Sequence, residues 1–131
     1  MKRIIKISFF TLILVLATTG CGGTKIQNVP AQSIIVKLSK ADVFKSIYRA
    51  GMIKGWDMYK MSDGLVEATY SKKNYSVVIN IKYSANSYGI YYKSSRGLKY
   101  NEDTQTIHKN YNVWIDRLKR QINMELTLAE M

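Results

Sequence analysis

The sequence predicts an α+β domain built in two layers, a four-stranded antiparallel meander with an N-terminal and a C-terminal helix packed on one of its faces. Three observations predict it. Two segments repeat apolar residues at steps of three and four, the period of a helix. Between them lie four runs with strand composition, the third of which alternates strictly. The connections among those runs are so short that successive strands must run antiparallel.

The first helix is expected from Lys40 to about Lys54. Ser39 can accept a free backbone N–H of the first turn, and Asp42 suits the positive end of the helix dipole. Val43, Ile47, Ala50 and Gly51 fall on one side, and Gly55 is a natural stop. Strands follow at Trp56–Met61, Leu65–Ser71, Tyr75–Tyr83 and Ser87–Ser94, separated by Ser62-Asp63-Gly64, Lys72-Lys73-Asn74 and Ser84-Ala85-Asn86. In the third, Val77, Ile79 and Ile81 alternate with Val78, Asn80 and Lys82. Thr104 or Thr106 can cap a second helix reaching about Met124, with a stripe of Ile107, Tyr111, Trp114, Ile115, Leu118 and Ile122. The expected core holds Val43, Ile47, Val66, Ala68, Val77, Ile79, Ile81, Ile90, Trp114, Ile115 and Leu118, each large side chain contributing roughly 1.5–3 kcal/mol on burial. Ile34-Ile35-Val36 fits either a short edge strand or a stretch laid across the core.

Residues 1–20 follow the plan of a secretory signal: Lys2, Arg3 and Lys6, then the apolar run Ile7–Ala17, then Thr18, Thr19 and Gly20. The run falls short of the roughly 20 apolar residues that span a bilayer. Thr18-Thr19-Gly20-Cys21 resembles the bacterial lipobox, with Thr18 where leucine is usual. The resemblance implies cleavage before Cys21 and acylation of its thiol, and hence a membrane anchor. Cys21 is the only cysteine, so it serves no internal disulfide. No aspartate follows it, which in a Gram-negative cell points to the outer membrane, facing the periplasm. Residues 21–33 read as a lipidated tether rich in Gly, Gln and Asn, and residues 34–131 as a single domain.

The formal charge is +11, of which three units lie in the leader, leaving +8 on the exported part. A basic domain has anionic lipid headgroups, acidic polymers of the envelope or nucleic acid as natural partners, and export argues against intracellular nucleic acid. The cations are scattered rather than clustered, as a solvated surface has them.

Gly55-Trp56, Ser62-Asp63-Gly64, Ile81-Lys82-Tyr83, Tyr88-Gly89-Ile90-Tyr91-Tyr92, Leu98-Lys99-Tyr100 and the segment Ile107–Ile115 together resemble a group of small proteobacterial lipoproteins of uncharacterised function. The resemblance, from about Val43 to Leu118, implies an anchored single domain and brings no activity with it.

Nothing in the sequence assembles into catalytic, cofactor or metal chemistry. His108 is the only histidine and has no cysteine to join it in a zinc site. The glycines form no phosphate-cradling loop, and no strained nucleophile motif accompanies the serines. Asp57 and Glu67 are the pair of acids that neighbouring strands could bring together. The sharper expectation is a binding face. If the alternating residues of the third and fourth strands point at the helices, Tyr59, Lys82, Tyr91 and Lys93 point away, with Glu67, Thr69 and Asn80 beside them. Such a face fits a non-catalytic domain that contacts another envelope protein. Its aromatic and basic residues also fit envelope glycan or anionic lipid. In outline the chain resembles the small lipoproteins that accompany outer-membrane assembly machines, an analogy of fold alone.

Overall fold

The computed structural model describes residues 23–131. In chain order these form β1 (Thr24–Lys25), β2 (Val29–Ser33), α1 (Lys40–Ile53), β3 (Asp57–Ser62), β4 (Leu65–Lys72), β5 (Tyr75–Tyr83), β6 (Ser87–Arg96), β7 (Thr106–Ile107) and α2 (Asn110–Glu130). The expected four-stranded meander under two helices is therefore corrected. Among the described residues there are seven strands in two sheets, a five-stranded sheet in the order β2-β6-β5-β4-β3 and a two-stranded ladder of β1 with β7.

The additional strands come from the stretch read as a tether and from the start of the expected second helix. Val29 pairs with Ile90 and Ser33 with Ser87, making β2 the fifth strand beside β6. Thr24 pairs with Ile107 and Lys25 with Thr106. Side-chain amides hold what the ladders leave open. Asn112 of α2 accepts from the Gln27 N–H (3.0 Å) and donates to the Lys25 carbonyl (2.8 Å), and Asn28 accepts from the Tyr92 N–H (3.0 Å). Two-residue strands carry no periodicity, and an amide side chain replacing a ladder bond leaves no pattern in the sequence. Ile34–Val36 runs on past β2, with Ile34 and Val36 against the core and Ile35 in solvent.

Ser39 caps α1 as its position demands, its hydroxyl accepting from the Asp42 N–H at 3.1 Å. The second helix begins later than its stripe implies. Ile107 is wholly buried as a strand residue, and helix starts only at Asn110, where the His108 ring nitrogen Nδ1 accepts from the Asn110 N–H at 3.2 Å. At the other end α2 runs on to Glu130, past the expected stop at Met124.

One core serves both helices and the larger sheet. Val43, Ile47 and Ala50 of α1 meet Ile115, Leu118 and Ile122 of α2 and the inward residues Val66, Ala68, Val77, Ile79, Ile81 and Ile90. Trp114, expected in this core, is half-buried instead. It stacks on Tyr75 with ring centroids 5.1 Å apart and lies 5.0 Å from Tyr70, which in turn sits 5.2 Å from Trp56. Between the helices, buried Glu125 takes Arg49 at 3.5 Å and a hydrogen bond from Gln121 at 3.1 Å. Among the described residues the buried cluster runs from Val29 to Leu126.

The central strand supplies a direct check on the register. Ile79 faces the core and is fully buried, whereas Val78 faces the opposite side and is half-buried. Ile79→Ala is expected to lower unfolding stability by about 2–5 kcal/mol, and Val78→Ala by roughly 1 kcal/mol or less. Denaturant titrations of the two variants measure the contrast, and equal losses would mean that the strand is read one residue out of register.

Candidate functional site

The side of the sheet away from the helices is built by alternation. In β5, Val77, Ile79, Ile81 and Tyr83 turn inward and are buried, which sends Ser76, Val78, Asn80 and Lys82 outward. Register then lines up residues from four strands. Tyr59 is opposite Glu67, Glu67 opposite Asn80, and Asn80 opposite Tyr91. With strands roughly 4.8 Å apart, the row runs roughly 14 Å across the sheet. The structure thus brings Tyr59 and Tyr91 onto the expected side, at its two ends.

Lys93 arrives there by an irregularity. The register slips between Val78, which pairs with Ser94, and Ile79, which pairs with Tyr92, so Lys93 is the inserted residue of a bulge. Its ammonium reaches across β5 to Glu67 at 2.7 Å. Lys82 stands over the Tyr91 ring, 5.3 Å from the centroid, within the range of a cation–π contact. Both lysines are therefore engaged within the face.

Gly89 was not among the residues expected to matter, although a glycine within a strand is a known signal of close approach. A Cβ there would lie 2.7 Å from the Tyr91 hydroxyl and 2.9 Å from the Val29 carbonyl oxygen. The missing side chain lets the Tyr91 ring lie back along its own strand. Beside it is a shallow depression of about 370 Å³, lined by Ala31, Leu65, Lys82, Gly89 and Tyr91 among others.

Asp57 and Glu67 do not form a facing pair. Asp57 is opposite Thr69, one step along the ladder, and Glu67 is committed to Lys93. His108 sits at the start of α2, where its ring accepts the backbone N–H of Asn110. Among the described residues no group of three or more His, Cys, Asp or Glu side chains is placed to hold a metal ion. Cys21 lies outside the described residues.

The tyrosines divide by side. Tyr59 and Tyr91 belong to the open face, while Tyr88 and Tyr92 turn to the helix side and Tyr111 is buried on α2 itself. Burial pushes the Tyr88 phenol up to about 12, and the phenol donates a hydrogen bond to the side-chain amide oxygen of Asn123 at 2.6 Å. Burial also raises Tyr92 and Tyr111, and the Tyr111 hydroxyl is enclosed without a hydrogen-bond partner. These three are packing residues with edge-on and tilted ring contacts, Tyr92 lying 5.6 Å from Tyr111 and 4.6 Å from Tyr100.

No protein-family model, curated protein or solved structure matches the chain.

The Tyr88 phenol makes a testable contribution to alkaline unfolding. Its folded pKa of about 12 exceeds the ordinary 10.0, so between those values the unfolded chain holds fewer protons than the folded one. Stability from this group is complete below pH 10 and is lost as the pH rises toward 12. Denaturant midpoints measured across that window are expected to fall more steeply for the wild type than for Tyr88→Phe, and parallel curves would contradict the assignment.

Proposed function

We propose that this chain is an exported lipoprotein, acylated on Cys21, whose folded domain is non-catalytic and uses the open side of its five-stranded sheet to bind a protein of the cell envelope. The anchor rests on the basic start, the short apolar run and Thr18-Thr19-Gly20-Cys21. The binding role rests above all on the row Tyr59–Glu67–Asn80–Tyr91, which no helix covers among the described residues. Aromatic side chains supply large rigid contact area at low entropic cost.

Charge favours a protein over a polyanion at this face. Lys93 is neutralised by Glu67, Lys82 is turned onto Tyr91, and Asp57 adds a further negative charge. A surface for acidic glycan or anionic lipid would keep its cations free. The two edges of the sheet also differ. β2 carries Pro30, which has no N–H to offer and discourages further pairing. The β3 edge has no proline and begins beside Tyr59, so a partner seated on the face can extend onto it.

Two measurements test the proposal. Mass spectrometry of the chain purified from envelopes is expected to show a mature terminus at Cys21 carrying acyl mass, both lost in Cys21→Ser. An unmodified terminus elsewhere would end the lipoprotein reading. Affinity capture from detergent-solubilised envelopes is expected to recover a protein that is lost with the triple variant Tyr59→Ala, Lys82→Ala, Tyr91→Ala at unchanged thermal stability. Equal recovery from both would remove the open face from the proposal.

A further inference from the structure

The sheet's open face leaves unexplained where the unpaired positive charge of the domain lies and why its helices expose so much apolar surface. Of α1, Val43, Ile47 and Ala50 are buried, yet Met52 is 59% exposed, and Tyr48 and Ile53 are exposed beside it. Of α2, Ile115, Leu118 and Ile122 are buried, yet Met124 is 55% exposed, and Val113 and Leu128 are exposed in line with it at steps of about four and eleven. The two helices pack side by side, tied by Arg49 and Glu125. Their outward faces therefore form one apolar surface pointing away from the sheet. Phe44, Tyr48, Met52 and Ile53 bound a depression of about 570 Å³ on it.

The charges set among these residues are of one sign. Lys45 and Arg117 are exposed and have no acidic partner among the described residues, while Asp116 is taken by Arg120 and Glu125 is buried under Arg49. Asp42 lies apart from this pairing, in the first turn of α1. A helix face that mixes apolar side chains with free basic ones is the composition of elements that lie in the headgroup region of a bilayer. A second copy of the chain would set these cations against their own kind.

A separate observation bears on where an anchor on Cys21 would act. Gly23 is seated directly on the backbone of Ile107, where a Cβ would come within 2.2 Å of the carbonyl oxygen. Asn112, in the first turn of α2, holds Thr24 and Lys25 (3.1 and 2.8 Å). The folded domain thus begins two residues after Cys21, which is roughly 7 Å of extended chain. That reach is far too short for the stand-off expected of a tether. A lipid on Cys21 would hold the start of α2, next to Val113, at the bilayer surface.

We infer that the outward faces of α1 and α2, through Tyr48, Met52, Val113 and Met124 with Lys45 and Arg117, dock on an anionic lipid bilayer. The sheet face is then presented away from the membrane, toward a protein partner. The orientation rests on the lipoprotein reading, whereas the lipid affinity of the helix pair stands by itself and is tested without the anchor.

The test uses the chain from residue 21 onward with Cys21→Ser, so that no acyl group is present, and vesicles of phosphatidylethanolamine with or without phosphatidylglycerol. Flotation is expected to show partitioning onto the phosphatidylglycerol vesicles only, weakening as salt rises. Lys45→Gln with Arg117→Gln should each lower it roughly fivefold, from the worth of one basic side chain near an anionic surface. Met52→Ser with Met124→Ser should lower it further, and Tyr59→Ala with Lys93→Ala should leave it unchanged. All six positions are at the surface, and a thermal melt verifies that each variant is folded. Absence of partitioning, equal partitioning onto neutral vesicles, or loss only with the Tyr59 and Lys93 variant would overturn the inference. The mass of the mature chain decides the anchor separately, so the two failures are distinguishable.

Discussion

Everything in this fold hangs on the two-residue alternation of β5. The strand is paired along its length on both sides, with β4 and with β6, so its parity is imposed on both neighbours. Val77, Ile79 and Ile81 give the helices a floor, and because the period is two, the same choice sends Asn80 and Lys82 to the other side. Inward and outward character in β4 and β6 follows from register alone: Val66 and Ala68 are set in, and Glu67 out, by the residues they face. A slip of one residue would bury Lys82 and Glu67 and expose the isoleucines. The apolar core and the open face are thus fixed by a single constraint.

The bulge in β6 is where that constraint is locally relaxed, and the relaxation places a charge. Without the extra residue at Lys93, strict alternation would still set Tyr92 inward, but Ser94 rather than Ser95 would follow it to the core side. With it, Ser94 pairs with outward Val78, and Ser95 is left to share a short hydrogen bond with the Tyr92 hydroxyl at 2.6 Å. Lys93 is released from the ladder and is free to lean over Asn80 to Glu67. An exposed ion pair of this kind contributes at most about 1 kcal/mol to stability. Its larger effect is on recognition, because it pairs two of the charges on a face that also carries Tyr59, Asn80 and Tyr91.

The strongly patterned elements were legible in the sequence and the weakly patterned ones were not. The Ser39 cap, the alternation from Tyr75 to Tyr83 and the turn at Asp63-Gly64, where Gly64 takes a φ of +87°, each have a local physical cause that composition displays. β1 and β7 have two residues each, and β2 contains a proline, which reads as a break. What holds this stretch is distant: Asn112 lies 85 residues from Gln27, and Asn28 lies 64 from Tyr92. Ile107 misled in a different way. It continues the spacing of the α2 stripe and is as deeply buried as the stripe, but it reaches the core from a strand. Of the candidate face, Tyr59, Lys82 and Tyr91 follow from parity, whereas the bulge at Lys93, its pairing with Glu67 and the role of Gly89 depend on contacts between strands.

The misread stretch is also what gives the molecule a direction. Had residues 21–33 been a loose tether, the domain could turn freely above a membrane and none of its faces would be distinguished. Because the chain is locked to Ile107 from Gly23 onward and to Asn112 at the next two residues, an anchor on Cys21 acts on the first turn of α2 as a pivot. A pivot at one end of a helix pair still leaves rotation about it, and that freedom is removed only if a second part of the same surface also favours the bilayer. Met52 and Lys45 on α1 and Met124 on α2 lie away from the pivot and supply such a contact. A lipobox cysteine carries at least two acyl chains, which suffice for firm anchoring, so the basic apolar patch would set the orientation rather than the attachment. In this geometry the face with its charges cancelled looks outward, and the face with its charges free looks toward the lipid.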